Sequence, residues 1–110
     1  CHINTIGADM PGKQEIDPEI TANVKVFGDS RSQVSHKGEC QHAVSMGLML
    51  PECITEIGEV LNGTKPGRTS ADDITMFDAT GMALQDLITA KVALERAEAM
   101  NIGTVVEMEQ

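Results

Sequence analysis

Asp9 is the residue whose type and setting offer the most chemistry. It stands in Gly7-Ala8-Asp9-Met10-Pro11-Gly12-Lys13-Gln14-Glu15-Ile16-Asp17, a stretch punctuated by two glycines and a proline and carrying charge of both signs. The stretch follows a strand-like run and precedes a helix start, so it reads as a loop at the carboxyl end of a strand, where open α/β sheets place ligands. A carboxylate there can accept a proton from a substrate amine or orient a water on an imine carbon. It can equally be an Asx-turn aspartate that bonds its own loop. Lys13 has the charge to meet a substrate carboxylate or a phosphate, or it can stand solvated on the loop. Glu15 is as suited to capping or local pairing as to catalysis.

Ala79-Thr80-Gly81 is the second candidate. It joins a predicted strand to the longest predicted helix, and the N–H groups of such a turn suit an anion or a carboxamide. The plainer reading is a helix cap with Asp78 or Thr80 as the capping side chain. His36, Cys40 and His42, with Cys53, form an H-x3-C-x-H pattern that matches none of the regular zinc spacings, and there is no C-x2-C pair. We expect no metal site, and no third group orients a Cys–His nucleophile pair. Arg68 is expected in a surface ion pair. There is no G-x-G-x-x-G and no P-loop in these 110 residues, so the phosphate-cradling part of a nucleotide site is not among them.

The elements that must position these residues can be read in order. His2-Ile3-Asn4-Thr5-Ile6-Gly7 predicts a short buried strand. Asp17-Pro18-Glu19 supplies an N-cap, a proline at the first helical position and a first-turn carboxylate, predicting a short helix to Asn23. Val24-Lys25-Val26-Phe27 predicts a second strand, and strand, loop, helix, strand in this length predicts a βαβ-type unit with a parallel pairing. Two short helices are expected over Ser30–Lys37 and Glu39–Met46, broken at Gly38. Pro51 opens another, in which Ile54, Ile57 and Leu61 keep helical spacing as far as Gly63. After the turn residues Thr64–Thr69, Ile74-Thr75-Met76-Phe77 predicts a strand. Met82–Met100 predicts the one long helix, whose stripe of Ala83, Leu87, Ala90, Leu94 and Ala97, widened by Leu84, Ile88 and Val92, needs partners on two sides. Asn101-Ile102-Gly103 stops it, and Thr104–Met108 is a last strand candidate.

Composition bounds the function. With 17 acidic against 8 basic residues and a formal charge of −9, the chain lacks the positive footprint that nucleic-acid or anionic-membrane partners require. Aromatic residues make up 2%, with Phe27 and Phe77 the only large rings, so the core must come from aliphatic residues and seven Met. Three cysteines cannot pair fully, which predicts reduced thiols and a cytoplasmic setting. The first residue is Cys1 rather than Met, so a processed or cropped chain is expected.

The segments GADMPGKQEIDPEI, GEVLNGTKPGR and TMFDATGMALQD resemble, in that order, the carboxyl-terminal part of the ornithine cyclodeaminase, mu-crystallin and archaeal-type alanine dehydrogenase family. The resemblance runs from Ile3 to about Val106. It implies an α/β fold: the carboxyl-terminal half of a Rossmann-type nucleotide-binding domain over residues 1–80, and over 81–110 a helix and strand that return to a substrate and dimerisation domain missing here. The implied cofactor is NAD or NADP, and the implied chemistry is oxidation at the α-carbon of a small L-amino acid to its imine. That imine is then hydrolysed, as in an alanine dehydrogenase, or captured internally with loss of ammonia, as in an ornithine cyclodeaminase; the loop favours the alanine dehydrogenase branch. By the same resemblance Asp9 is the catalytic group. Ala8, Asp9, Ala79, Thr80 and Gly81 border the nicotinamide, Lys13 is a candidate substrate contact, and the intact protein is a homodimer. Where the family usually has serine this chain has Ala79, which removes a hydroxyl. The competing expectation is an inactive stand-alone fragment or dimerisation module.

Overall fold

The computed structural model describes residues 1–108. Strands β1 (His2–Thr5), β2 (Lys25–Gly28), β3 (Thr55–Glu56) and β4 (Thr75–Asp78) form one all-parallel sheet in the order β1-β4-β2-β3. The expected α/β class with a parallel sheet is what forms. The first two strands, however, do not pair with each other. β4 lies between them, with Met76 in register with both Ile3 and Val26. The physical reason is burial: Thr75, Met76 and Asp78 are all buried, and the strand covered most completely takes an interior position. β1, expected to be buried, is instead an edge of this sheet with His2 and Asn4 exposed.

Helices α1 (Pro18–Ala22), α2 (Arg31–His36) and α3 (Cys40–Ser45) cover one face of the sheet. Their start signals act as the chemistry requires. The Asp17 side chain accepts the Glu19 N–H at 2.8 Å with Pro18 at the first helical position, and Ser30 caps α2. The core under them is aliphatic and sulfur-bearing: Val26 and Met76 from the sheet meet Val34, Cys40, Ala43, Met49 and Ile54. Gly38 sits where only a glycine fits. A Cβ there would stand 2.7 Å from both the Asp78 carboxylate and the Val34 backbone.

The single helix expected from Pro51 to Gly63 is not observed. A 3₁₀ turn (Pro51–Cys53) is followed by β3 and then by α4 (Ile57–Leu61). Ile54 is fully buried in the core, and the two residues beyond it pair with Phe27 and Gly28 of β2. Ladder bonds on an open sheet edge override the helical spacing, and α4 starts afresh where the Glu59 carboxylate accepts the Glu56 N–H at 3.0 Å. Arg68 is also corrected. Its guanidinium donates to the carbonyls of Ser70, Ala71, Asp73 and Cys1, clamping the connection into β4 rather than forming an ion pair.

The long helix α5 (Ala83–Met100) ends on Asn101 in the left-handed region at φ 52°, followed by Gly103 at φ 104°. It projects from the sheet: all of its residues are exposed except Ala97, which is half-buried. The radius of gyration is 17.8 Å, against about 13 Å for a compact chain of this length. Its apolar stripe therefore has no cover among the described residues. Thr104–Met108, the last strand candidate, forms no strand; Val105 and Met108 are nine-tenths or more exposed, and a strand needs a neighbour to pair with. Residues 109 and 110 of the expected second unit lie outside the described ones. Among the described residues no helix is long and apolar enough to cross a membrane.

Two predictions follow from this packing. Gly38→Ala should cost about 2 kcal/mol in urea unfolding, because the Val34 backbone cannot yield as a side chain would. Asp73 accepts hydrogen bonds from Lys25 Nζ at 2.8 Å and from the Thr69 and Ser70 N–H groups, which hold its carboxyl well below the usual range. A depressed folded value gives stability that is present above the unfolded carboxyl value, about pH 4, and is lost as pH falls towards the folded one. Asp73→Asn should therefore melt below wild type at pH 7, with the gap narrowing on acidification. A gap unchanged between pH 7 and pH 2 would contradict the assignment.

Candidate functional site

The carboxyl ends of β1, β4 and β2 lie side by side, and three connections leave them: Ile6–Asp17, Ala79–Met82 and Asp29–Ser30. Asp78, the last residue of β4, is fully buried and accepts the Cys40 N–H at 3.0 Å and the Thr5 hydroxyl at 3.4 Å. Burial pushes its carboxyl up, and it does not cap α5. The Ala79 N–H donates to Thr5 O at 2.9 Å, so the connection from β4 is fastened to the end of β1.

Within the first connection Ala8 is buried. Met10-Pro11-Gly12-Lys13 closes a turn through Lys13 N–H to Met10 O at 3.2 Å, with Gly12 at φ +87°. Proline followed by a glycine of positive φ is the chemistry of a type II turn. This geometry brings the Lys13 ammonium to the Asp9 carboxylate at 2.5 Å, both side chains being about half exposed (48%). That hydrogen bond, then the charge of Lys13, holds the Asp9 carboxyl below its ordinary value, with a smaller contribution from Lys37. Asp9 thus presents an ionised, solvent-accessible carboxylate, and the Lys13 ammonium is engaged by it. Glu15 pairs locally, as its position allows, by accepting the Gly7 N–H at 3.0 Å.

The residues read as a possible metal set do separate work. His36 Nδ1 lies 2.7 Å from Ser32 O within α2, and His42 Nε2 lies 2.9 Å from Lys13 O. Cys40 is buried, and burial together with the neighbouring Asp78 pushes its thiol far up, whereas Cys53 is exposed.

The Ala79–Gly81 turn differs from expectation. Its N–H groups are not open to a ligand: Thr80 and Gly81 donate to Asp29 Oδ2 at 2.8 and 2.9 Å, and the Thr80 hydroxyl lies 3.1 Å from Asp29 Oδ1 and 3.0 Å from Gln33 Oε1. α5 begins only at Ala83, with Met82 at its N-cap position and no side-chain cap. The organiser is Asp29, nine-tenths buried, which also accepts the Ser30 N–H. Sequence reasoning missed it as a functional residue. The available signal was an aspartate directly after a strand-ending glycine, at the same sheet edge as the turn from β4. The carbonyls of Ala79, Thr80 and Gly81 have no hydrogen-bond partner among the described residues, so the turn presents acceptors rather than donors.

This arrangement defines the class: part of an open, parallel α/β domain whose loops gather at the carboxyl edge. Residues 1–101 match the ornithine cyclodeaminase/mu-crystallin family. The alanine dehydrogenase of Archaeoglobus fulgidus is 48% identical over 107 residues, covering 96% of this chain and 33% of that protein. The crystal structure of the iminosuccinate reductase of Paracoccus denitrificans in complex with NAD+ superposes with a TM-score of 0.87 at 41% identity, over 97% of this chain and 33% of that one. An archaeal alanine dehydrogenase dimer with bound NAD gives 0.84 at 47% identity, over 98% and 34%. The chain belongs to the ornithine cyclodeaminase/mu-crystallin family, and it spans about a third of the length of these relatives.

Replacing Asp29 isolates what it contributes. Asp29→Ala strands the N–H groups of Ser30, Thr80 and Gly81, the Thr80 group buried, which should cost about 3 kcal/mol in chemical unfolding and speed amide exchange at Thr80 and Gly81. Exchange at those two amides as slow as in wild type would show that another group holds the turn.

Proposed function

We propose that this chain is the carboxyl-terminal part of an NAD(P)-dependent oxidoreductase that acts at the α-carbon of a small L-amino acid or its imine, with alanine dehydrogenase-like specificity. The observation that carries the reading is the solvent-accessible Asp9 carboxylate, paired with Lys13 on a loop at the carboxyl edge of a parallel sheet. The relatives named above support it: one is a dehydrogenase of alanine, the other a reductase of an imino acid, and solved structures of such proteins hold NAD. An amine and its imine are the two ends of one redox step, so the same proton-handling group can serve both directions.

In this reading residues 1–80 form the second half of the nucleotide-binding domain, and the unit from residue 81 onward packs on a substrate and dimerisation domain. The uncovered stripe of α5 supports that division, and the dimeric archaeal relative supports a homodimer. The residues present fit the nicotinamide end of the cofactor. Ala8 and Asp9 border it from one connection, and the Ala79–Gly81 turn, with its acceptor carbonyls, offers partners to a carboxamide NH2. Nothing in this sequence fits the pyrophosphate. When bound, NAD(P) supplies the hydride exchange at the α-carbon. Asp9 takes a proton from the substrate amine and orients the water that adds to the imine. Lys13 holds the Asp9 carboxylate in place, and Asp29 turns the Thr80 and Gly81 N–H groups away from the ligand. The unpaired thiols suit a reducing, cytoplasmic compartment.

Asp9→Asn in the intact enzyme retains the size of the side chain and removes its basicity. Turnover of alanine should fall about 100-fold or more, with NADH affinity by calorimetry close to wild type. Turnover at the wild-type rate would refute the role of Asp9.

A further inference from the structure

We infer that Gln41, on the first turn of α3, is the positioning residue that sets the catalytic loop, holding the Met10–Lys13 turn so that Lys13 meets Asp9. The inference rests on the reading of Asp9 as the acid–base group. A type II turn bonds residue i+3 back to residue i and leaves the N–H of residue i+2 without a partner inside the turn. Here that group is the Gly12 N–H, and it donates to Gln41 Oε1 at 2.8 Å. The other half of the same amide faces the carbonyls of the turn's ends. Gln41 Nε2 lies 3.2 Å from Met10 O and 3.1 Å from Lys13 O, and 2.9 Å from Gly38 O at the start of its own helix. With two protons for three carbonyls, one proton is shared between two of them. One planar amide therefore meets the turn at its donor and at both of its acceptors.

The orientation of that amide follows from its surroundings. Three carbonyls can be served only by the NH2 group, and one N–H only by the oxygen. Two neighbours on the same helix start complete the seat. His42 Nε2 meets the Lys13 carbonyl, and the buried Glu39 carboxylate accepts the Glu15 and Ile16 N–H groups at 2.8 and 2.6 Å. Glu39 is part of the folded core, whereas Gln41 is half-buried and outside the aliphatic cluster. Its bonds are therefore separable from the fold. Its influence on Asp9 passes through Lys13, whose main chain it fixes and whose ammonium holds the carboxylate.

A positioning role differs from a structural one in what it changes. In the intact enzyme, Gln41→Ala should lower kcat about tenfold or more, leave the NADH dissociation constant within about twofold of wild type and leave the melting temperature within a few degrees. Because Gln41 acts only through Asp9, the Asp9→Asn, Gln41→Ala double variant should be no slower than Asp9→Asn alone. A kcat for Gln41→Ala within about twofold of wild type, or a double variant whose losses multiply, overturns the inference. Should Gln41→Ala fail to fold, Gln41→Glu carries the same test, since it keeps the acceptor for Gly12 and sets an oxygen against the Met10 and Lys13 carbonyls. The two readings fail separately. An active Asp9→Asn enzyme removes the catalytic assignment and this inference with it, while an inactive Asp9→Asn beside a fully active Gln41→Ala removes this inference alone.

Discussion

Three buried carboxylates take up the main-chain N–H groups at the carboxyl edge of the sheet, and the rest of the site depends on them. Asp29 accepts from Ser30, Thr80 and Gly81; Glu39 accepts from Glu15 and Ile16; Asp78 accepts from Cys40. None of the three has an ion-pair partner among the described residues. A carboxylate removed from water without a cation is costly, and charge-assisted bonds from backbone N–H groups are what offset the cost. Each of these main-chain segments is therefore tied to a carboxyl group buried beneath it. The result is a rigid seat under Asp9 and under the Ala79–Gly81 turn, with the solvent-facing Asp9 carboxylate held by Lys13.

Local chemistry was legible in the sequence wherever the partner is a near neighbour. Asp17-Pro18 starts a helix, Asn101-Ile102-Gly103 ends one, and Pro11-Gly12 makes a turn, each within four residues. Structure that depends on distant partners was not. β4 joins the sheet between two strands whose residues paired with Thr75, His2 and Lys25, lie 73 and 50 positions earlier, and no local pattern encodes that insertion. The two-residue strand β3 exists because β2 offers an edge beside the buried Ile54, although the spacing of Ile54, Ile57 and Leu61 suited a helix. Arg68 reads as a surface charge until the four carbonyls around it are placed.

The same limit applies to the site. Asp9 and Lys13 could be singled out from their loop, but their bond to each other is a product of the turn between them. The N–H groups of Thr80 and Gly81 looked available because Asp29 lies some fifty residues earlier, across the sheet edge. Their capture reverses the polarity of the turn from donor to acceptor, which changes what part of a ligand it can meet. α5 is the complementary case. Its stripe announced a need for cover that none of the described residues supplies, in a chain that spans about a third of the length of its relatives.

In the function proposed above, Asp9 and the Ala79–Gly81 turn are two walls of one pocket around the reacting carbon. A crystal structure of the intact enzyme with NADH and an unreactive amino-acid analogue tests it most directly. The account predicts the nicotinamide ring between the Asp9 carboxylate and the turn, its carboxamide NH2 on a main-chain carbonyl of residues 79–81, and the analogue's amino group within hydrogen-bonding distance of Asp9. A ring bound elsewhere, or an amino group met by other residues while Asp9 stays in solvent, would contradict it.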